Sequence, residues 1–192
     1  MFVARLAEML LMLLLPSSST TLPMNLDWVD VDEWFDQYAG EYSLSFDIPL
    51  EYDDLADEAS SSDVWGRMYR FNQEDAEPVD LALYGNSEGA GLVQISQTLG
   101  LEEWVAVGGA LTQLYGHGWV IPSSDYTAGV AREWAWFETD DLSVLFYGDS
   151  VDEGYTWDTS IFYAHPERSF DVERAFSDFL GKYLAEQAWI RG

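Results

Sequence analysis

The sequence predicts an α+β fold, a mostly antiparallel sheet of about six to eight short strands with about three flanking helices, the last one C-terminal. Segments of alternating polar and apolar residues recur with short connections, and three other segments carry apolar residues at helical spacing. The 192-residue chain is 48% hydrophobic and 16% aromatic, which indicates a packed core and argues against disorder. We expect a single α+β domain over residues 24–192.

Residues 1–23 are predicted to lie outside that domain. They contain an uninterrupted apolar run at residues 9–15, preceded by Arg5. This run is much shorter than the about 20 residues that a membrane-spanning helix needs. The segment is interpreted as a leader, as an extension ahead of a true start at Met24, or as a weak signal peptide.

The domain begins with a predicted helix and a predicted strand. Apolar residues at helical spacing predict a helix over residues 31–39 that ends at Gly40. Strict alternation over residues 42–48 then gives the clearest strand pattern in the chain. Residues 50–63 are acidic and rich in serine, which predicts a loop or a short exposed helix.

Strands are predicted next at residues 64–71, 79–84 and 92–96. The last two are expected to form a hairpin, because the glycine-rich sequence GNSEGAG joins them. Residues 101–115 place apolar side chains near helical spacing, although each of two internal glycines disfavours a helix by up to about 1 kcal/mol. We predict a helix there, with a strand over WVAV at residues 104–107 as the alternative, and expect this segment to be the central buried element.

The remaining elements are four strands and a closing helix. The strands are predicted at residues 119–122, 133–138, 142–147 and 155–164, and the middle two form a hairpin. An apolar stripe behind a cap at Ser169 or Asp171 predicts the helix; its members are Val172, Ala175, Phe176, Phe179, Leu180, Tyr183 and Leu184.

The segment RSFDVERAFSDFLGKYL, which contains that stripe, resembles the closing helix of SUKH-type immunity proteins. The resemblance covers less than a tenth of the chain and includes no diagnostic motif. It therefore assigns no role to any residue.

The charge balance limits the classes of partner. The chain has 35 Asp and Glu against 8 Lys and Arg, a formal net charge of −27, which argues against binding nucleic acid or an anionic membrane surface. This composition resembles that of proteins from halophilic archaea, because about 1 M salt shortens the Debye length to about 3 Å and screens the repulsion. The alternative is an acidic decoy that covers a basic toxin or nuclease.

Few residues are candidates for catalysis. The chain has no Cys, which excludes disulfides, thiolate zinc sites and cysteine nucleophiles. Its two histidines, His117 and His165, could act as general bases or metal ligands, yet each is interpreted first as a structural residue. Carboxylate pairs are too common in this composition to mark a site. No catalytic residue, metal or cofactor is predicted.

The best indication of a binding site is a group of aromatic residues on neighbouring predicted strands. Trp134 and Trp136 lie on one strand, and Tyr155, Trp157 and Tyr163 lie on another. One set of rings is expected to fill the core. If the other set is exposed, it forms a face for a protein or carbohydrate; the alternative is burial under helices.

These observations favour a small, salt-adapted, non-enzymatic binding module with a protein partner. One alternative is an immunity or inhibitor-type protein that neutralises a basic toxin or nuclease. Another is a hydrolase or metal-dependent enzyme that uses His117 or His165 with carboxylates. A cytoplasmic location is expected, and export is the alternative if residues 1–23 are a signal peptide. The oligomeric state is not predicted.

Overall fold

The computed structural model describes Trp28 and residues 31–59, 61–73, 76–116, 119–122, 131–138, 143–150 and 155–169. In chain order the elements are helix α1 (Val31–Phe46), strand β1 (Leu50–Asp54), a 3-10 helix (Leu55–Glu58), β2 (Val64–Gln73), β3 (Ala76–Asn86), β4 (Gly89–Gly100), helix α2 (Leu101–Tyr115), β5 (Trp119–Pro122), β6 (Ala131–Glu138), β7 (Ser143–Ser150) and β8 (Thr156–Ala164).

Within the described ranges the strands form one eight-stranded sheet in the order β1-β2-β3-β4-β8-β7-β6-β5. Every neighbouring pair is antiparallel. The predicted antiparallel sheet with flanking helices is therefore confirmed. The predicted closing helix at residues 172–184 lies outside the described residues.

Helix α1 is longer than the sequence pattern predicts. It continues past Gly40 to Phe46, so the predicted strand at residues 42–48 is wrong. The alternating pattern places Leu44 among the inward residues of a strand, yet its side chain is 85% exposed on the helix. Tyr42 and Phe46 are four residues apart, and this spacing fits a helix as well as a strand.

The end of α1 is set by Asp47, not by Gly40. Asp47 has a positive φ of 53°, the left-handed conformation that commonly closes a helix. The Ile48 N–H donates to the Ser43 carbonyl at 3.0 Å, and the Ser43 hydroxyl donates to the Ile48 carbonyl at 2.7 Å. Ile48 is buried, so this closure also anchors the helix end to the core.

Residues 50–63 were predicted as a loop or an exposed helix, and the structure places strand β1 in their first part. All of β1 after Leu50 is exposed, which explains why its acidic composition gives no strand pattern. The other predicted strands are all confirmed, most with longer ends. The Gly-rich connection between β3 and β4 is a tight hairpin in which Gly89 takes a φ of 124°.

Both described helices pack on the same face of the sheet. Their buried side chains, among them Phe35 of α1 and Trp104 and Leu111 of α2, belong to one core cluster with the inward residues of β2, β3, β4, β7 and β8. A second cluster that includes Tyr84 and Phe162 lies on the opposite face. Strands β4 and β8 are central in the sheet.

Helix α2 is not the central buried element that its composition predicts. It is amphipathic, with Trp104, Val107 and Leu111 buried and Leu101 and Val105 exposed. Of the two glycines inside α2, one permits close packing against the sheet. A Cβ on Gly108 would lie 3.3 Å from Cε1 of Phe146, whereas a Cβ on Gly109 would meet nothing within 4 Å.

Candidate functional site: an exposed apolar corner

Exposed apolar side chains gather where β4 runs into α2. Leu101, Val105 and Tyr155 are 45%, 58% and 72% exposed. The Leu101 N–H donates to the Tyr155 carbonyl at 3.0 Å, and Val105 follows Leu101 by one helical turn. We call these three residues the apolar corner, because two elements meet there at the end of the sheet.

The local sequence explains this geometry. Gly100 pairs with Thr156 of β8 and is the last residue of β4. Its N–H donates to Oε2 of Glu103 at 3.0 Å, which caps the first turn of α2. The chain therefore changes from strand to helix within one residue and brings Leu101 beside Tyr155. The neighbouring Glu102 is exposed, so the corner has an acidic border.

The predicted aromatic site is divided between the surface and the core. Tyr155 is exposed, whereas Trp157 and Tyr163 are buried in the core cluster beneath α2. The Trp157 ring stacks on Trp104, with 4.4 Å between the ring centroids and 17° between the planes. Among the predicted side chains whose burial is described, Tyr155 alone lies at the surface.

Trp134 and Trp136 lie in β6, where their backbones pair with Tyr147 and Leu145 of β7. Sequence reasoning did not include Leu101 and Val105 in the site. The sequence did contain an indication of them: residues 101–115 have more apolar positions than fit on the buried face of a single helix.

His165 has a structural role in the turn after β8. Its Nδ1 accepts hydrogen bonds from the N–H groups of Glu167 and Arg168, at 3.1 and 3.2 Å, and its ring contacts the edge of Trp28. Burial, followed by the positive charge of Arg168, lowers the pKa of His165. The acceptor role and the lowered pKa both favour the neutral imidazole with its proton on Nε2.

The described residues do not assemble a group of metal ligands. His165 forms no ion pair with a described carboxylate. In the part of the chain that the structure covers, no group of three His, Cys, Asp or Glu side chains could hold a metal ion. The other histidine, His117, lies outside the described residues.

The only two basic residues between residues 25 and 80 are used inside the fold. Arg67 Nε donates to Asp36 Oδ1 at 3.1 Å, and its Nη2 contacts Asp32 of α1. Its guanidinium also lies over the rings of Phe35 and Trp65, 5.4 and 5.3 Å from the centroids. Arg67 thus joins α1 to β2 by charge and by packing.

Arg70 makes the second internal ion pair. Its Nε and Nη2 donate to the two carboxylate oxygens of Asp80 at 2.7 and 2.8 Å, a bidentate geometry. The other described carboxylates of this region, such as Glu58 and Asp63, stay exposed without an ion pair to a described residue.

Tyr69 belongs to the Arg67 cluster and gives a pH-dependent prediction. Burial, and then the hydrogen bond that its hydroxyl donates to Asp36 at 2.9 Å, raise the pKa of Tyr69 from 10.0 to about 12. The folded state therefore holds the proton that the unfolded chain releases above pH 10. This contribution to stability is complete below pH 10 and is lost as the pH rises towards about 12.

We expect Tyr69→Phe to lose less stability than the wild type as the pH rises from 10 to about 12. The measurement is urea unfolding at each pH. Some slope should remain, because burial also raises the pKa of Tyr115 to about 12. Leu44→Ala, at an exposed position of α1 that carries no titratable group, is the control and should keep the wild-type slope. A Tyr69→Phe slope equal to that of the wild type would contradict the assignment.

Comparisons with protein-family models, with curated proteins and with solved structures found no match to this chain. Among the described residues, no helix combines the length and the apolar character that crossing a membrane requires.

Proposed function

We propose that this protein is a non-enzymatic binding module that docks a protein partner at the apolar corner. The observation that supports the proposal is the exposure of three apolar side chains at one place: Leu101 and Val105 on one turn of α2, and Tyr155, whose carbonyl accepts from the Leu101 N–H. Single exposed hydrophobic residues are ordinary on a protein surface, but a contiguous group indicates a binding surface. Covering the exposed part of these side chains removes apolar area from water, which favours association by roughly 25 cal/mol per Å² before the entropic costs of binding are subtracted.

The chemistry of the partner follows from the border of the corner. Glu102 is exposed beside it, and the chain as a whole carries a net charge of −27. A partner surface that is apolar at its centre and bordered by Lys or Arg would complement both features. An acidic partner would be repelled, so the charge contributes to specificity.

The proposal is tested by site-specific cross-linking followed by affinity measurement. A photoreactive phenylalanine analogue at Tyr155 should capture a partner in the native host, and the same analogue at Leu44 should not. With that partner purified, we expect Val105→Asp to weaken the Kd by at least about tenfold. Leu44→Asp, at an exposed apolar position of the other helix, should leave the Kd unchanged.

Both aspartate variants change exposed positions, so both should keep the wild-type stability. Equal capture at the two positions would overturn the proposal. So would a Kd that Val105→Asp leaves unaltered while the protein remains folded. An indirect effect through α2 is detected by comparing the unfolding curves of the two variants.

We also propose that the protein is adapted to high salt, which places it in a salt-rich cytoplasm. Two features support this proposal: the excess of carboxylates, and the small number of basic side chains available to offset it, since Arg67 and Arg70 each pair with carboxylates of this chain. An acidic decoy for a basic toxin is the alternative. The salt dependence of folding distinguishes the two.

A further inference from the structure

Strand β1 forms a free edge of the sheet. Among the residues that the structure describes, it pairs only with β2 and is the terminal strand in the sheet order, and its residues after Leu50 are all exposed. A free edge presents unpaired backbone groups and can accept a further strand from another chain.

The register shows which backbone groups are free. The Asn72 N–H donates to the Pro49 carbonyl at 3.1 Å, immediately before β1 begins. Because hydrogen-bonded and non-bonded pairs alternate in an antiparallel ladder, Glu51 and Asp53 direct their backbone groups towards β2. Leu50 and Tyr52 therefore direct their N–H and C=O groups away from the sheet. Asp54 directs its N–H the same way, while its C=O belongs to the first turn of the 3-10 helix that it caps.

A row of alternating charges crosses the sheet and ends at this edge. Asp80 of β3 pairs in register with Arg70 of β2, and Arg70 pairs in register with Glu51 of β1. Arg70 is held in a bidentate bond by Asp80, so Glu51 receives no ion pair among the described residues. The next position in the row, beyond Glu51, is suited to a cation.

Two further residues of β1 define what each face of an added strand would meet. Asp53 is exposed and lies on the same face as Glu51, two residues along the strand. On the other face, Tyr52 is 58% exposed and its ring centroid lies 5.4 Å from that of Tyr69. This ring is a suitable cross-strand neighbour for the apolar or β-branched side chains that alternate with the basic ones on an added strand.

The same charges disfavour pairing with a second copy of β1. Two antiparallel β1 strands, each with the sequence LEYDD, would bring carboxylates together across the new ladder. Like charges opposite each other on neighbouring strands are destabilising, and cross-strand Cβ atoms are only about 4.5–5.5 Å apart. The edge therefore resists self-association but remains open to a strand of opposite charge.

We propose that the free edge of β1 binds an extended peptide segment of a partner by strand addition, and that this segment carries Lys or Arg at alternate positions. The basic side chains lie opposite Glu51 and Asp53, and the peptide backbone bonds to Leu50, Tyr52 and Asp54. This interaction is separate from the apolar corner and does not depend on it.

The probe is a synthetic seven-residue peptide that alternates Lys with Val and carries a fluorescent label. A protein with this net charge binds many polycations, so the control peptide keeps the sequence and charge but is N-methylated at alternate residues on its pairing edge. We expect the control to bind at least about tenfold more weakly in fluorescence anisotropy titrations at fixed KCl. A Glu-Val peptide should not bind.

Amide hydrogen exchange gives the residue-level result. The Lys-Val peptide should slow exchange at the outward amides of Leu50, Tyr52 and Asp54. The amides of Glu51 and Asp53, which already face β2, should be unchanged. Uniform protection, or none, would contradict strand addition and indicate electrostatic adhesion alone.

Variants of β1 complete the test. Tyr52→Pro removes an N–H that β2 does not use, so the sheet should remain paired while peptide binding falls at least about tenfold. Tyr52→Val is the matched control and should keep the backbone-dependent binding. Glu51→Lys with Asp53→Lys should reverse the preference from the Lys-Val to the Glu-Val peptide, which keeps the test decisive if Tyr52→Pro fails to fold.

Binding that is equal for the two Lys-Val peptides, or that survives charge reversal in β1, overturns the proposal. Val105→Asp in the apolar corner should leave peptide binding unchanged. Failure of strand addition and failure of the proposed function are therefore separate results.

Discussion

Replacing Gly148 with alanine is expected to lower the free energy of unfolding by about 1–3 kcal/mol, towards the upper end of the range for an overfilled core. Gly148 lies in β7 under the stacked indoles of Trp104 and Trp157. A Cβ at this position would lie 2.9 Å from Cε3 of Trp157 and 3.0 Å from Cε2 of Trp104, and still nearer to Nε1 of Trp104.

The two rings cannot move aside cheaply. Trp104 is attached to α2 and also stacks on Phe146, with 5.2 Å between the centroids. Trp157 lies in β8, which is hydrogen-bonded to neighbouring strands on both sides. Relief of the clash therefore requires a shift of α2 away from the sheet, with loss of packing along the whole interface.

The measurement is urea unfolding, together with near-ultraviolet circular dichroism of the tryptophans. Gly109→Ala is the matched control, because that glycine lies in α2 with nothing within 4 Å of its Cβ position. It should raise stability by about 0.5–1 kcal/mol through helix propensity. A Gly148→Ala protein that is as stable as the wild type would show that the indoles do not fill this space.

The strands could be predicted from the sequence where alternate side chains are buried against different core clusters on the two faces of the sheet. Trp65 and Phe71 of β2 belong to the core cluster, whereas Met68 packs against the second one, as the alternation implies. The strand predicted at residues 42–48 is wrong, because the sequence of this segment is also compatible with continuation of the helix that begins at Val31. The helix closes at Asp47 through a left-handed residue and bonds between Ser43 and Ile48, and an apolar–polar pattern does not register such a cap.

Of the three residues of the apolar corner, the sequence predicted one. Tyr155 follows a loop and begins an alternating strand, which made it a candidate. The exposure of Leu101 and Val105 depends on how α2 is rotated against the sheet, and Trp104 and Val107 set that rotation by their burial. The free edge of β1 depends on the strand order, which periodicity alone does not give.

Dilution of KCl from about 2 M to about 0.1 M is expected to unfold the protein. The Debye length rises from below about 3 Å to about 10 Å over this change, so exposed carboxylates that are independent in molar salt repel one another in dilute buffer. In the described part of residues 25–80 the two arginines form their ion pairs with Asp32, Asp36 and Asp80, and the more numerous remaining described carboxylates have no ion pair to a described residue. The loss is of the order of the 5–15 kcal/mol that keeps a domain folded.

Circular dichroism against KCl concentration measures the transition, and sucrose replaces KCl as a control for general solute exclusion. Glu58→Gln, Glu77→Gln and Glu88→Gln together remove three exposed charges at nearly constant shape. If repulsion causes the unfolding, this triple variant should fold at a lower KCl concentration than the wild type. An unchanged midpoint would assign the salt requirement to another cause.

A protein that stays folded in dilute buffer would instead favour the acidic decoy, since a charge that the fold tolerates without salt is available to a cationic partner. Salt adaptation and the acidic decoy also differ in which carboxylates matter. Salt adaptation predicts that removing any three exposed carboxylates has a similar influence on the KCl midpoint. A decoy predicts that the carboxylates of one surface determine the affinity for its partner and that the others do not.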